Sequence, residues 1–142
     1  MRHRKKTLKL NRTSSHRTAL LANLVSSLIR EEAITTTVAK ARAAQPLAEK
    51  MVTLAKRDTL ATRRRAIQAL RDKDAVKKLF SEFGPRFSDR VGGYTRLLKL
   101  DRGRRGDGAA MARLSFLDEE ESSSVTGTKK SGKTASPEKP EK

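Results

Sequence analysis

The chain has 142 residues, room for one modest domain, and no cysteine, which excludes disulfides and thiolate metal sites. Its 33 Lys and Arg against 16 Asp and Glu leave a net charge of +17, which repels itself unless a polyanion neutralises it. Nucleic acid meets that need best, because cations on phosphates release condensed counterions; an anionic membrane surface ranks second and an acidic protein third.

Residues 1–13 are basic, polar and without periodicity. They read as an extended arm that orders on a partner. No Asp or Glu precedes Glu31, whereas Arg2, Arg4, Lys5, Lys6, Lys9, Arg12 and Arg17 all fall in the first seventeen residues. Thr13, Ser14 or Ser15 is placed to cap a first helix running to about Arg30. Leu20, Leu21, Leu24, Val25, Leu28 and Ile29 repeat in it at helical spacing, a core-facing stripe. The same stretch superficially resembles a signal peptide. Asn23, Ser26 and Ser27 interrupt it, however, and Arg30-Glu31-Glu32 stands where a small-x-small cleavage site belongs. No apolar run approaches the roughly 18 residues needed to span a bilayer.

Ala33–Val38 is β-branched and short, a strand. A second helix follows from Ala39 to about Arg57, with Thr36 or Thr37 at its cap. Its inner face is Ala41, Ala44, Ala48, Met51, Val52 and Ala55, and Pro46 is expected to kink or break it near its first turns. Asp58 and Thr59 cap a short third helix ending near Leu70. Asp72 or Asp74 caps a fourth, with Val76, Leu79, Phe80 and Phe83 inward. Gly84-Pro85 is expected to stop that helix, with glycine in the left-handed position. Pro85 to Gly93 reads as an irregular basic loop. Tyr94–Leu100 and Ala110–Leu117 read as strands of an antiparallel hairpin joined by a Gly- and Arg-rich connection. From Glu119 onward Ser, Thr, Lys, Gly, Pro and Glu dominate, the composition of a disordered tail.

The expected fold is therefore α+β (mixed α/β), about four helices on a small three-stranded sheet. It divides into an arm at 1–13, a globular domain at 14–117 and a tail at 118–142. Without the tail, 28 cations still face 10 acids, so the basicity belongs to the arm and the fold.

Three basic regions are candidates for an RNA contact. The acid-free arm tracks a phosphate backbone by charge, and His3 and His16 are suited to stack on bases or bond phosphates, although plain exposure explains each equally well. The second region, Gly84 to Arg105, carries Arg86, Arg90, Arg96, Lys99, Arg102, Arg104 and Arg105 against Asp89 and Asp101. Gly92 and Gly93 there permit a sharp turn or close backbone approach. Phe87 reads as core, Tyr94 as core or base platform with nothing to choose between them. The third region is Arg63-Arg64-Arg65, which spreads around a helix and cannot face one partner as a unit.

An enzyme lacks the residues it would need. There is no Cys nucleophile, neither His lies in a triad context, and Gly103–Gly108 has no GK[ST] and sits between strands. No cofactor, metal or small-molecule substrate is expected. A free nucleic-acid chaperone, a DNA-compacting protein and a peripheral membrane protein remain rivals on composition alone.

Several separated segments resemble one family. Met1-Arg2-His3-Arg4-Lys5 and Leu10-Asn11-Arg12-Thr13-Ser14-Ser15-His16-Arg17 are similar to the opening of the L-seventeen family of bacterial large-subunit ribosomal proteins. So are Ile34-Thr35-Thr36-Thr37-Val38-Ala39-Lys40-Ala41-Arg42 and Thr53-Leu54-Ala55-Lys56-Arg57. The sharpest similarity is Leu79-Phe80, Gly84-Pro85-Arg86-Phe87, Arg90 and Gly92-Gly93-Tyr94-Thr95-Arg96-Leu97-Leu98-Lys99. The resemblance covers residues 1 to about 117. It departs at Ala39, where the family often has Pro, and at Pro46, where a helical residue is usual. It implies a cytoplasmic component of the large subunit that contacts 23S ribosomal RNA near the rim of the peptide exit tunnel. Neighbouring ribosomal proteins, among them the one numbered thirty-two, are the implied protein partners; neither a membrane nor an obligate homo-oligomer is. Lys40, inside a matching segment, joins the RNA-contact set.

Overall fold

A computed structural model describes residues 8–117. The expectations for Arg2, His3, Arg4, Lys5 and Lys6 and for the 118–142 tail lie outside the described residues.

The elements follow one another as α1 Ser14–Glu31, β1 Ala33–Thr37, α2 Val38–Ala55, α3 Leu60–Leu70, α4 Lys73–Lys78, a π-helical turn Leu79–Phe83, a single turn α5 Gly84–Arg86, β2 Thr95–Lys99 and β3 Met111–Phe116. Helices packed on a three-stranded antiparallel sheet are the α+β arrangement expected from the sequence. The last strand is central: the sheet order is β1-β3-β2, with Ile34 opposite Leu114 and Leu97 opposite the same residue.

Local chemistry explains the helix boundaries. Thr59 caps α3 reciprocally, its Oγ1 accepting from Thr62 N (3.2 Å) while Thr62 Oγ1 accepts from Thr59 N (3.0 Å). Asp72 caps α4 by accepting from Asp74 N and Ala75 N. Thr13 and Thr37 occupy the cap positions of α1 and α2, but neither side chain makes the capping bond.

The helix α2 runs through the middle of the fold. Ala41, Ala44 and Ala48 are fully buried, and their small side chains let neighbouring elements approach its backbone closely. Of the two expected effects of Pro46, a kink or a break, the break does not occur: the helix runs through it. The proline is exposed, as is Arg42 one turn earlier, so the helix loses its i+4 bond on its outward side rather than in the core.

Gly84-Pro85 also behaves differently from the sequence expectation. Gly84 is right-handed (φ −57°), and the chain continues helically to Arg86 through the π turn. Pro85 comes just after the π turn and stands one residue before the helical run ends at Arg86, so its missing N–H costs the run a bond only at its end. The glycine is required by packing: a Cβ there would lie 2.9 Å from Ala55 O. Gly84→Ala should therefore push α2 and α5 apart and lower stability by about 1–3 kcal/mol despite the better helix propensity of alanine. Urea denaturation measures this; a stabilised variant would show that the contact yields freely.

The core is one cluster between the helices and the inner sheet face. Phe83, Phe87, Phe116 and Tyr94 form its aromatic end, with Phe83 and Phe116 centroids 4.5 Å apart and Phe87 and Tyr94 5.3 Å apart. Ala112, Leu114 and Phe116 point inward from β3, and Met111, Arg113 and Ser115 alternate onto the open outer face.

Candidate nucleic-acid interface

The base of the arm is folded rather than extended. Leu10 and Asn11 both take left-handed conformations (φ 56° and 55°), and Arg12 N donates to Lys9 O, making a tight turn before α1. Arg12 Nε donates to His16 Nε2 (3.2 Å) and Arg17 Nη1 to Arg12 O (3.4 Å). Lys9 and His16 are exposed, and Arg12 and Arg17 are half-buried against the turn. The left-handed pair stores backbone strain at the turn that precedes these cations.

The segment from Arg86 to Thr95 is anchored inward. Arg86 makes an ion pair with Glu32 (2.9 Å), donates to Leu117 O (2.7 Å) and lies over the rings of Phe83 and Phe87. Its role is to tie α5 to the end of β3. Tyr94 is 1% exposed and its ring packs on Phe87, so it is unavailable as a platform for a base. Its hydroxyl is shared between Arg90 O (3.2 Å) and Val91 O (3.3 Å). These two residues of the candidate set are structural, because each is consumed by contacts inside the protein. Phe87 is core, as expected.

What remains outward is the turn itself. Gly92 and Gly93 are exposed, and Gly93 has φ +67° with open space where a Cβ would stand. The requirement at Gly93 is thus conformational, with no steric neighbour. Gly93→Val should cost about 1–2 kcal/mol of stability, because a β-branched residue resists the left-handed region. Thermal unfolding against wild type checks this, and an unchanged midpoint would show that the turn rearranges. Arg90 is half-buried; its backbone carbonyl accepts from Lys56 Nζ (2.7 Å), and its Nη1 is enclosed without a hydrogen-bond acceptor.

The loop between β2 and β3 is compact. Arg104 N donates to Ala109 O and Gly108 N to Arg104 O, while the Arg104 guanidinium grips the Asp107 carboxylate through two nitrogens. That grip holds the Asp107 carboxyl well below the ordinary carboxylate range. Arg104 is therefore partly spent on the loop. Arg102 and Arg105 are exposed with no acidic partner among the described residues, as is Lys99 at the end of β2. Lys40 is half-buried in the first turn of α2.

The sheet adds a residue that sequence reasoning missed. Arg113 is exposed on the outer face, opposite Leu98 and Thr35, with Arg96 opposite Ser115 on that same face. The alternation of Met111–Phe116 was the available signal, since it sends Arg113 outward once Leu114 is assigned to the core. In the Arg triplet, Arg63 bonds Asp58 bidentately (2.5 and 2.7 Å) and lies 5.0 Å from the Phe80 ring centre, which leaves Arg64 and Arg65 as the outward pair.

The arrangement offers fixed guanidinium and ammonium groups on exposed surfaces. No cluster of His, Cys, Asp and Glu suited to a metal occurs among the described residues, and no described helix is long and apolar enough to cross a membrane. The family described as ribosomal protein L17 matches residues 20–117, from within α1 to the end of β3. The chain belongs to the ribosomal protein L17 family. A member of this family, the large ribosomal subunit protein bL17 of Bradyrhizobium diazoefficiens, is 52% identical over 118 residues, covering 83% of this chain and 85% of that protein. Membership in the L17 family makes the chain a ribosomal protein and not an enzyme.

Proposed function

We infer that the chain is a structural constituent of the large ribosomal subunit, in the cytoplasm, where it holds 23S ribosomal RNA through its phosphate backbone. The observation that carries this reading is the excess of outward, acid-free cations (Lys9, Arg102, Arg105, Arg113) on a fold of the L17 family. Such groups neutralise phosphates and fix register without reading sequence. The proposed contact set is the arm with Lys9, Arg12, His16 and Arg17, the turn at Arg90, Gly92 and Gly93, and Arg96, Lys99, Arg102 and Arg105. Arg104 and Lys40 contribute from the margins. The globular unit is residues 14–117, and neighbouring large-subunit proteins, including the one numbered thirty-two, are the proposed protein contacts.

Density-gradient sedimentation of cell lysate tests the reading. The protein should travel with large subunits and leave them in high salt. Distribution over chromosomal DNA would favour a DNA-compacting role and overturn it.

A further inference from the structure

A polar cleft of about 480 Å³ lies between α1 and the α3–α4 connection, away from the arm, the turn and the β2–β3 loop. Asn23 and Ser27 stand one helical turn apart on its α1 wall, and Arg71 and Lys73 stand on the other. Ser26 lies at the floor, buried, with an Oγ that lacks a hydrogen-bond partner. A polar ligand can satisfy that hydroxyl, whereas an apolar one leaves it bare.

The charge balance of the cleft is positive. Its carboxylate, Asp72, is already engaged by Arg30 and by two backbone N–H groups of α4. Arg71 and Lys73 are exposed and have no acidic partner among the described residues. Arg71 also sits at φ 58°, a left-handed position after α3 that favours glycine or asparagine. An arginine there carries a backbone cost with no ion pair in return, which suits a guanidinium kept for an external anion.

We propose that this cleft grips the RNA phosphodiester backbone, with Arg71 and Lys73 neutralising phosphates and Asn23 and Ser27 bonding phosphate or ribose oxygens. It is a second contact, additional to the surfaces above, and it rests on the rRNA-binding reading.

The double variant Arg71→Gly/Lys73→Ala tests it cleanly, because glycine accepts the left-handed conformation and the fold should melt no lower than wild type. The probe is deproteinised 23S rRNA, titrated with the full chain at several salt concentrations. Loss of two phosphate contacts should make the log-log salt slope shallower by about 1.4–1.8. A second measurement separates a local contact from bulk charge. The chain has no native cysteine, so Asp74→Cys, at an exposed position beside Lys73 and outside the proposed contacts, carries a single iron chelate, and hydroxyl radicals from it should cut the bound RNA at a discrete set of nucleotides. An unchanged slope, or no cutting from position 74 while a chelate on Asp101→Cys does cut, overturns the cleft and leaves the rRNA-binding reading standing. If wild type itself binds this RNA without salt dependence, both fall.

Discussion

Replacing Phe83 with Ala should lower unfolding free energy by about 3–5 kcal/mol, roughly a fifth or more of what a domain this size commonly has. The ring is fully buried and meets Phe116 at 4.5 Å and Phe87 at 6.2 Å, so its removal opens a hole between the π turn and β3. The surroundings cannot collapse readily. Phe83 adjoins Gly84, beside which Ala55 O leaves no room even for a Cβ, and Arg86 above the ring is pinned by Glu32 and Leu117 O. Phe83→Leu keeps most of the volume and should lose roughly half as much. Urea unfolding followed by circular dichroism reads both. A loss below about 1 kcal/mol for the alanine variant would mean that the cluster repacks.

Most of the fold was legible because its signals are local. Thr59 and Asp72 announce helix starts by chemistry that needs no distant partner, and both are caps in the structure. The alternation of Met111–Phe116 and the Ala-rich face of α2 report burial through period alone. The misreadings arise where a distant contact outweighs local propensity. Gly84 looked like a stop signal, yet it is small because Ala55 of α2 passes beside it. Pro46 looked like a kink or a break, yet it lies on the outward side of α2, and the helix runs on. The candidate site was less legible than the fold for the same reason. A sequence displays the charge of Arg86, Arg104 and Arg63 but not that Glu32, Asp107 and Asp58 hold them. It hides Arg113 in a strand and Arg71 in a cap, where single cations carry no cluster signal.

Glu49 shows how far such a hidden partner reaches. It lies on α2, and its carboxylate crosses to the start of β2, 45 residues later in sequence. Oε2 accepts from Tyr94 N (3.1 Å), and Oε1 accepts from Thr95 N (3.0 Å) and from the Thr95 hydroxyl (2.6 Å). Both residues are buried and Glu49 is half-buried, so water can replace the carboxylate only in part when it is removed. Glu49→Ala should then cost about 3–5 kcal/mol, since each buried donor left unpaired costs roughly 1–3 kcal/mol. Glu49→Gln retains one acceptor oxygen but turns an amide N–H₂ toward a backbone N–H, and should cost about 1–3 kcal/mol. The functional consequence is local as well as global. Lys56, two turns further along α2, holds Arg90 O, so the glutamate and the lysine together clamp the turn carrying Gly92 and Gly93 at both ends. With only the lysine left, the turn and Arg96 lose their fixed position while the arm and the β2–β3 loop keep theirs. Glu49→Gln should accordingly stay folded, exchange the amides of Tyr94 and Thr95 faster, and bind deproteinised 23S rRNA more weakly than wild type. Wild-type exchange at those two amides would show that the carboxylate does not hold the strand, whatever the denaturation curve reads.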